Sequence, residues 1–149
     1  MTIKIKNFNS LSSVQLYDIL ALRSEVFVVE QNCPYQDIDY NDHEAQHVCF
    51  YKKRELIAYA RILPAGSTFD STSIGRFLVK KTHRQKKLGH DLINTCLTFI
   101  KENCASGDIK ISAQQYLIDF YSQHDFKTVG EGYLEDDIPH IEMHYQTEE

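Results

Sequence analysis

No two cysteines in this sequence are spaced as a CxxC pair. Cys33, Cys49, Cys96 and Cys104 stand far apart, which argues against a structural zinc site. Proline and glycine are sparse, with three and six in 149 residues, and no linker, internal repeat or low-complexity segment is visible. No apolar run reaches about 18 residues, and the N-terminus does not read as a signal peptide. The expectation is a cytoplasmic protein with reduced thiols and no membrane partner. Positive charge is in deficit: 16 Lys and Arg against 21 Asp and Glu give a net charge of −5. A general nucleic-acid binder is excluded on that balance. Two phosphate motifs are also missing. No loop ends in Gly-Lys-Ser/Thr, and no three glycines have the dinucleotide-binding spacing.

What remains is ordinary globular composition, 42% hydrophobic and 25% charged, in a length that suits a single domain over 1–149. Ile3–Lys6 alternates as a strand. A Ser cluster at Ser10, Ser12 and Ser13 offers a cap for a helix carrying Leu16, Ile19, Leu20, Arg23 and Phe27. Arg23 lies on the apolar face, so it must reach water or a carboxylate. His47–Tyr51 and Leu56–Leu63 read as a hairpin around Lys52–Arg54. Ile74–Val79 is a strand and Leu88–Ile100 an amphipathic helix. Ile109–Ala113, a short helix over Tyr116–His124, Phe126–Gly130 and His140–Tyr145 complete the order β, α, β, β, β, α, β, α, β, β. Glu135-Asp136-Asp137 reads as an acidic loop. That order predicts an α/β sandwich with a mixed sheet.

Two regions carry chemical promise. Arg84, Lys86 and Lys87 precede a helix start, where free backbone N–H groups and the helix dipole favour an anion. The span Arg84–His90 is therefore a candidate phosphate or pyrophosphate site. Asp37, Asp39, Asp42, Glu44, His43 and His47 crowd a second region. Their spacing matches no zinc or EF-hand loop. They read as a solvated acidic loop or as an anionic wall that attracts a cationic substrate.

The turn from Arg84 to Gly89 resembles the pyrophosphate loop of the Gcn5-related N-acetyltransferases (GNAT), with Lys87 where a glycine is usual. Phe120-Tyr121-Ser122-Gln123-His124-Asp125-Phe126 is similar to that family's aromatic-Tyr segment, with Asp125 in place of a glycine. The strings Val26-Phe27-Val28-Val29-Glu30-Gln31, Cys33-Pro34-Tyr35, Ala58-Tyr59-Ala60-Arg61, Ile74-Gly75-Arg76 and Ile138-Pro139-His140-Ile141 resemble its ElaA-like branch.

The resemblance implies a GNAT-type mixed sheet flanked by helices, with two central parallel strands splayed to hold acetyl-CoA. Phe77, Leu78 and Val79 would line the pantetheine arm, and Arg84, Gln85, Lys86, Lys87, Leu88, Gly89 and His90 would meet the pyrophosphate. It implies an acetyl-CoA-dependent N-acetyltransferase acting on a primary amine, with Tyr121 protonating the leaving thiolate. Glu30 is a candidate base if an apolar setting raises its pKa, and His47 and His140 are alternatives. Gln31, Tyr35, Asp39 and Asp42 fall on the acceptor side. No metal is implied, and a monomer or a homodimer is compatible. Two further readings stand beside this one: a non-catalytic acyl-CoA-binding sensor, and an acyltransferase like the acyl-homoserine lactone synthases.

Overall fold

The computed structural model describes residues 1–84 and 87–147. The predicted element order holds. β1 (Thr2–Asn7) leads into α1 (Ser13–Arg23), followed by β2 (Gln46–Lys52), β3 (Glu55–Leu63) and β4 (Ser73–Val79). α2 (Leu88–Asn103), β5 (Ile109–Gln114), α3 (Ile118–Ser122), β6 (Lys127–Glu135) and β7 (Ile138–Tyr145) complete the chain. Ser12 caps α1 in a reciprocal box: Gln15 N–H donates to Ser12 Oγ at 3.1 Å, and Ser12 N–H donates to Gln15 Oε1 at 2.9 Å. Two donors that the helix start would orphan are thereby satisfied.

The strands form two antiparallel groups, β1-β2-β3-β4 and β5-β7-β6. Among the described residues a single parallel bridge joins them, Thr72 to Ile109, with Lys110 N–H donating to Thr72 O at 3.0 Å. Beyond that bridge β4 and β5 part, which is the splay expected of them. β3 is covered on both faces, from Leu56 to Leu63. α2 buries Leu88, Leu92, Ile93, Cys96 and Ile100 against one face, together with Val48, Ile62, Ile111 and Met143. α1 buries Ile19 and Leu22 against the other, with Cys49, Tyr59 and Leu78. Cys49 and Cys96 are small core residues, as their apolar neighbours suggested, and all four cysteines are free.

Three features depart from the sequence expectation. First, the helix expected through Phe27 does not keep its α-helical period: α1 stops at Arg23 and the chain widens into a π-helical stretch, Ser24–Glu30. Gln31 N–H donates to Val26 O and Cys33 N–H to Val28 O, both five residues back. Pro34 cannot extend a helix. Second, the helix expected over Tyr116–His124 shrinks to a 3₁₀ turn, Gln115–Leu117, and the five-residue α3. Third, β6 runs to Glu135, and Asp136 and Asp137 alone turn the chain, at φ 49° and 63°. Two left-handed residues in a two-residue connection form a tight hairpin turn, not a loop. No helix among the described residues is long and apolar enough to cross a membrane.

Candidate active site

A cleft of about 550 Å³ opens where β4 and β5 diverge. Phe27 from the π-helical stretch and Gln31 just after it line it, with Gly75, Arg76 and Phe77 from β4. Ser112 and Gln114 from β5, Tyr121 from α3, and Tyr133, Glu135 and His140 from the β6–β7 hairpin close the other side. The strand pairing shifts by one residue between Tyr59 and Arg61 on β3, opposite Arg76, whose φ is 46°. A left-handed residue at an extra strand position marks a β-bulge, and it re-aims β4 at the cleft.

The acidic stretch 37–42 is not an anionic wall. Six side chains form a closed ring of alternating charge. Asp37 meets Arg23 Nε at 2.9 Å and Arg76 Nε at 2.8 Å. Asp39 meets Arg76 at 3.4 Å and Arg61 NH1 at 2.7 Å. Asp42 meets Arg61 at 3.0 Å and Arg23 at 2.6 Å, which closes the ring. Three guanidinium groups balance three carboxylates, so the ring is neutral. Burial alone would raise the Asp39 and Asp42 carboxyls, but bonds from Arg61 and Arg23 hold both below the usual carboxylate range. Arg23 is 0% exposed and finds the carboxylate partners its position demanded. Tyr35 stands at the ring's edge. Its hydroxyl donates to Asp37 Oδ1 at 2.7 Å, and Arg76 lies over its face.

The three candidate bases separate. His47 is fully buried; its Nδ1 lies 2.7 Å from the Tyr59 hydroxyl and its Nε2 lies 2.9 Å from Asp42 O. It does not line the cleft, and burial pushes its pKa down. His47 is a packing residue, which corrects its placement as a base. Glu30 does not sit in an apolar pocket either. Arg84 forks onto it, with NH2 at 2.8 Å from Oε1 and NH1 on Oε2. The burial argument for Glu30 as a base is lost.

His140 does line the cleft. Its Nδ1 lies 2.7 Å from Ile138 O, and a carbonyl only accepts, so Nδ1 carries the proton. Nε2 is left for proton uptake, with Glu135 Oε2 at 3.2 Å. The ring of Tyr133 stacks on His140.

Tyr121 lines the same cleft, buried among Phe77, Phe120 and Phe126 at centroid distances of 5.9, 5.2 and 5.6 Å. Burial raises its pKa, so the phenol stays protonated. Gln31 reaches across the cleft, where its Nε2 donates to Gln114 Oε1 at 3.2 Å and Gln114 Nε2 donates to its Oε1 at 3.3 Å. Phe77 faces the cleft, Leu78 packs against α1, and Val79 rests on the α2 side of the sheet.

Arg84 also donates through Nε to Val79 O at 2.9 Å, which ties the loop to β4. Gln85 and Lys86 lie outside the described residues. Lys87, immediately before α2, has φ 58°, the left-handed conformation natural to glycine. Asp125 does the same at φ 69°. Both non-glycine residues therefore keep the geometry that glycine would supply. The N-cap residue Lys87 makes no side-chain cap bond to α2, so among the described residues no side chain occupies the N–H groups that the helix start presents to an anion. Leu88 anchors that turn in the core, and Gly89 lets the Phe120 ring pack at 3.4 Å from where a Cβ would stand. His90 Nδ1 lies 2.8 Å from His124 Nε2. Phe120 contacts both, and it links the loop to Phe77 and Tyr121.

Arg76, Glu135 and Tyr133 were not marked by the sequence as site residues. Only the bulge and the tight β6–β7 turn bring them to the cleft. Among the described residues, no group of three or more His, Cys, Asp or Glu is arranged to hold a metal ion.

A family model described as "Acetyltransferase (GNAT) domain" matches residues 10–147. The protein ElaA of Escherichia coli K12 is 42% identical over 137 residues, covering 91% of this chain and 90% of the relative. The crystal structure of Escherichia coli ElaA superposes with a TM-score of 0.91 and 39% identity, over 98% of this chain and 100% of that one. An acyl-CoA N-acyltransferase from Pseudomonas aeruginosa superposes equally well, at 0.91 and 36% identity, over 97% and 99% of the two chains. A neutral wall, a histidine and a buried tyrosine around one cleft between splayed strands thus coincide with a family match along almost the whole chain, which belongs to the GNAT acetyltransferases.

Proposed function

We propose that this enzyme moves an acetyl group from acetyl-CoA to a primary amine by direct attack in a ternary complex. The supporting observation is that Tyr121 and His140 line one cleft at the parting of β4 and β5. The residues fit the co-substrate: among the described residues β4 has no strand partner on its β5 side past Thr72, and Lys87 makes no side-chain cap on the first turn of α2 beside Arg84. Acetyl-CoA brings an activated acyl carbonyl and a thiol leaving group.

The chain's own groups then divide the proton work. An ammonium cannot attack, so its proton must leave first. His140 Nε2 takes it, and Glu135 receives the resulting N–H. Ile138 O fixes the tautomer throughout. Tyr121 gives its proton to the departing sulfur, the second proton that the nitrogen sheds on becoming an amide restores the Tyr121 phenol, and a raised pKa suits a donor that must stay protonated until the sulfur leaves. A backbone N–H of β4, that of Val79, polarises the carbonyl. Arg84, Lys87 and the first turn of α2 hold the pyrophosphate. Glu30 orients Arg84 and does not act as the base. The sensor reading rested on Lys87 and Asp125, and both adopt the conformation glycine would have.

The test is thiol release from acetyl-CoA across a panel of amines, polyamines and short peptides. Tyr121→Phe and His140→Gln should each lower turnover roughly 10²-fold or more. Acetyl-CoA should still protect both variants against heat. Full turnover in either variant removes that residue from the mechanism.

A further inference from the structure

Arg61 spends NH1 and NH2 on Asp39 and Asp42, yet its buried Nε–H has no hydrogen-bond partner among the described residues. The residue is 3% exposed and lines the cleft. A buried donor left unmade is costly. Directly across the β3–β4 pairing stands Gly75, also in the cleft wall. A Cβ added there would meet one atom within 4 Å, Arg61 Nε at 3.9 Å. Glycine thus leaves a small space in the wall, and its one neighbour is an unspent N–H.

We propose that this space is a subsite for the acceptor. It takes the neutral carbonyl oxygen of an amide carried beside the reacting amine, and Arg61 is the residue that sets this specificity. The proposal rests on the transferase reading above. A hydrocarbon in the space would leave Nε–H unpaired, so an oxygen is preferred. The Arg–Asp ring is already neutral, and Glu135 and Asp136 also face the cleft. A free carboxylate would add unbalanced negative charge there, so the oxygen is an uncharged one. The acceptor class that follows is an amino amide, whether a small molecule or the N-terminus of a peptide.

The experiment compares thiol release from acetyl-CoA with glycinamide, propylamine, glycine and triglycine amide, with kcat/KM expressed per unprotonated amine. Glycinamide should exceed propylamine by about tenfold or more, the worth of one hydrogen bond to a charged donor, and glycine should fall below glycinamide. Triglycine amide at or above glycinamide assigns the subsite to peptide N-termini, and a much lower value assigns it to small amines. Gly75→Ala meets nothing closer than ordinary contact and needs no left-handed φ, so its melting temperature should hold while the amide preference collapses toward one.

Equal kcat/KM for glycinamide and propylamine in the parent enzyme overturns the subsite and leaves the transferase standing. So does a Gly75→Ala variant that keeps the amide preference but changes the acyl chain length accepted. Glycine outrunning glycinamide overturns the uncharged oxygen. No release with any amine overturns the transferase reading, and the subsite with it.

Discussion

Two acidic stretches look alike in the sequence, Asp37–Asp42 and Glu135–Asp137, and the fold treats them in opposite ways. The first is met by Arg23 from α1, Arg61 from β3 and Arg76 from the β4 bulge, and its charge is cancelled. The second borders the cleft, and its Glu135 pairs only with His140 among the described residues. Cancelled carboxylates build a wall; the one left beside a histidine can serve proton transfer. Charge density in a sequence therefore says little about field until the topology has assigned partners.

The comparison breaks most sharply at Arg23. Arg23→Ala takes one of two arginine partners from each of the buried carboxylates Asp37 and Asp42 and should cost about 3–5 kcal/mol, as removal of one partner from a buried pair does. Glu135→Gln touches a half-exposed pair, with the carboxylate 51% exposed, and should cost less than about 1 kcal/mol. Denaturant unfolding of the two variants measures both, and equal losses would mean that the ring is no more cohesive than a surface pair.

A smaller effect belongs to His47. His47 has its folded pKa depressed by burial, so the unfolded chain binds the extra proton. The stability it contributes is present above the unfolded value, near pH 6.5, and is lost as pH falls below it. Melting temperature should drop between pH 7.5 and pH 5, and His47→Gln should flatten that drop while lowering stability at both ends. An unchanged slope in the variant would assign the pH dependence to another group.

The smallest effects belong to Lys87 and Asp125. Relief of left-handed backbone is offset by the entropy of glycine in the unfolded chain. Lys87→Gly and Asp125→Gly should each shift stability by no more than about 1 kcal/mol; Asp125→Gly should keep thiol release near the parent rate, whereas Lys87→Gly should keep kcat but raise the KM for acetyl-CoA, which melting curves and the release assay would check. Loss of release in Asp125→Gly would show that the side chain, not the turn, matters there.

Much of this architecture was written in local pattern. Strict alternation located β1, helical periodicity located α2, and the serine cluster Ser10, Ser12 and Ser13 located the start of α1. The β6–β7 turn was misread because Asp136 and Asp137 look like solvated loop residues and only their left-handed backbone reveals a tight turn. The π-helical stretch escaped because its wider period was not among the periods that alternation and helical spacing test. In the cleft wall, Tyr121 and His140 were legible as candidates, since each sits in a string that resembles the family. The ring was not. Arg23, Arg61 and Arg76 belong to three different elements, and nothing short of the folded sheet brings them to one loop.

A closed ring has no end member, and this has a consequence for inheritance. Replacing any one of Arg23, Asp37, Arg76, Asp39, Arg61 and Asp42 leaves two neighbours short of a partner, so no first step away from the set is silent. Its members should pass between generations as a block, changing together in oppositely charged pairs or not at all. A lineage that has lost the ring should carry the scar of a paired exchange, such as an arginine and an aspartate both turned apolar, and not a lone substitution.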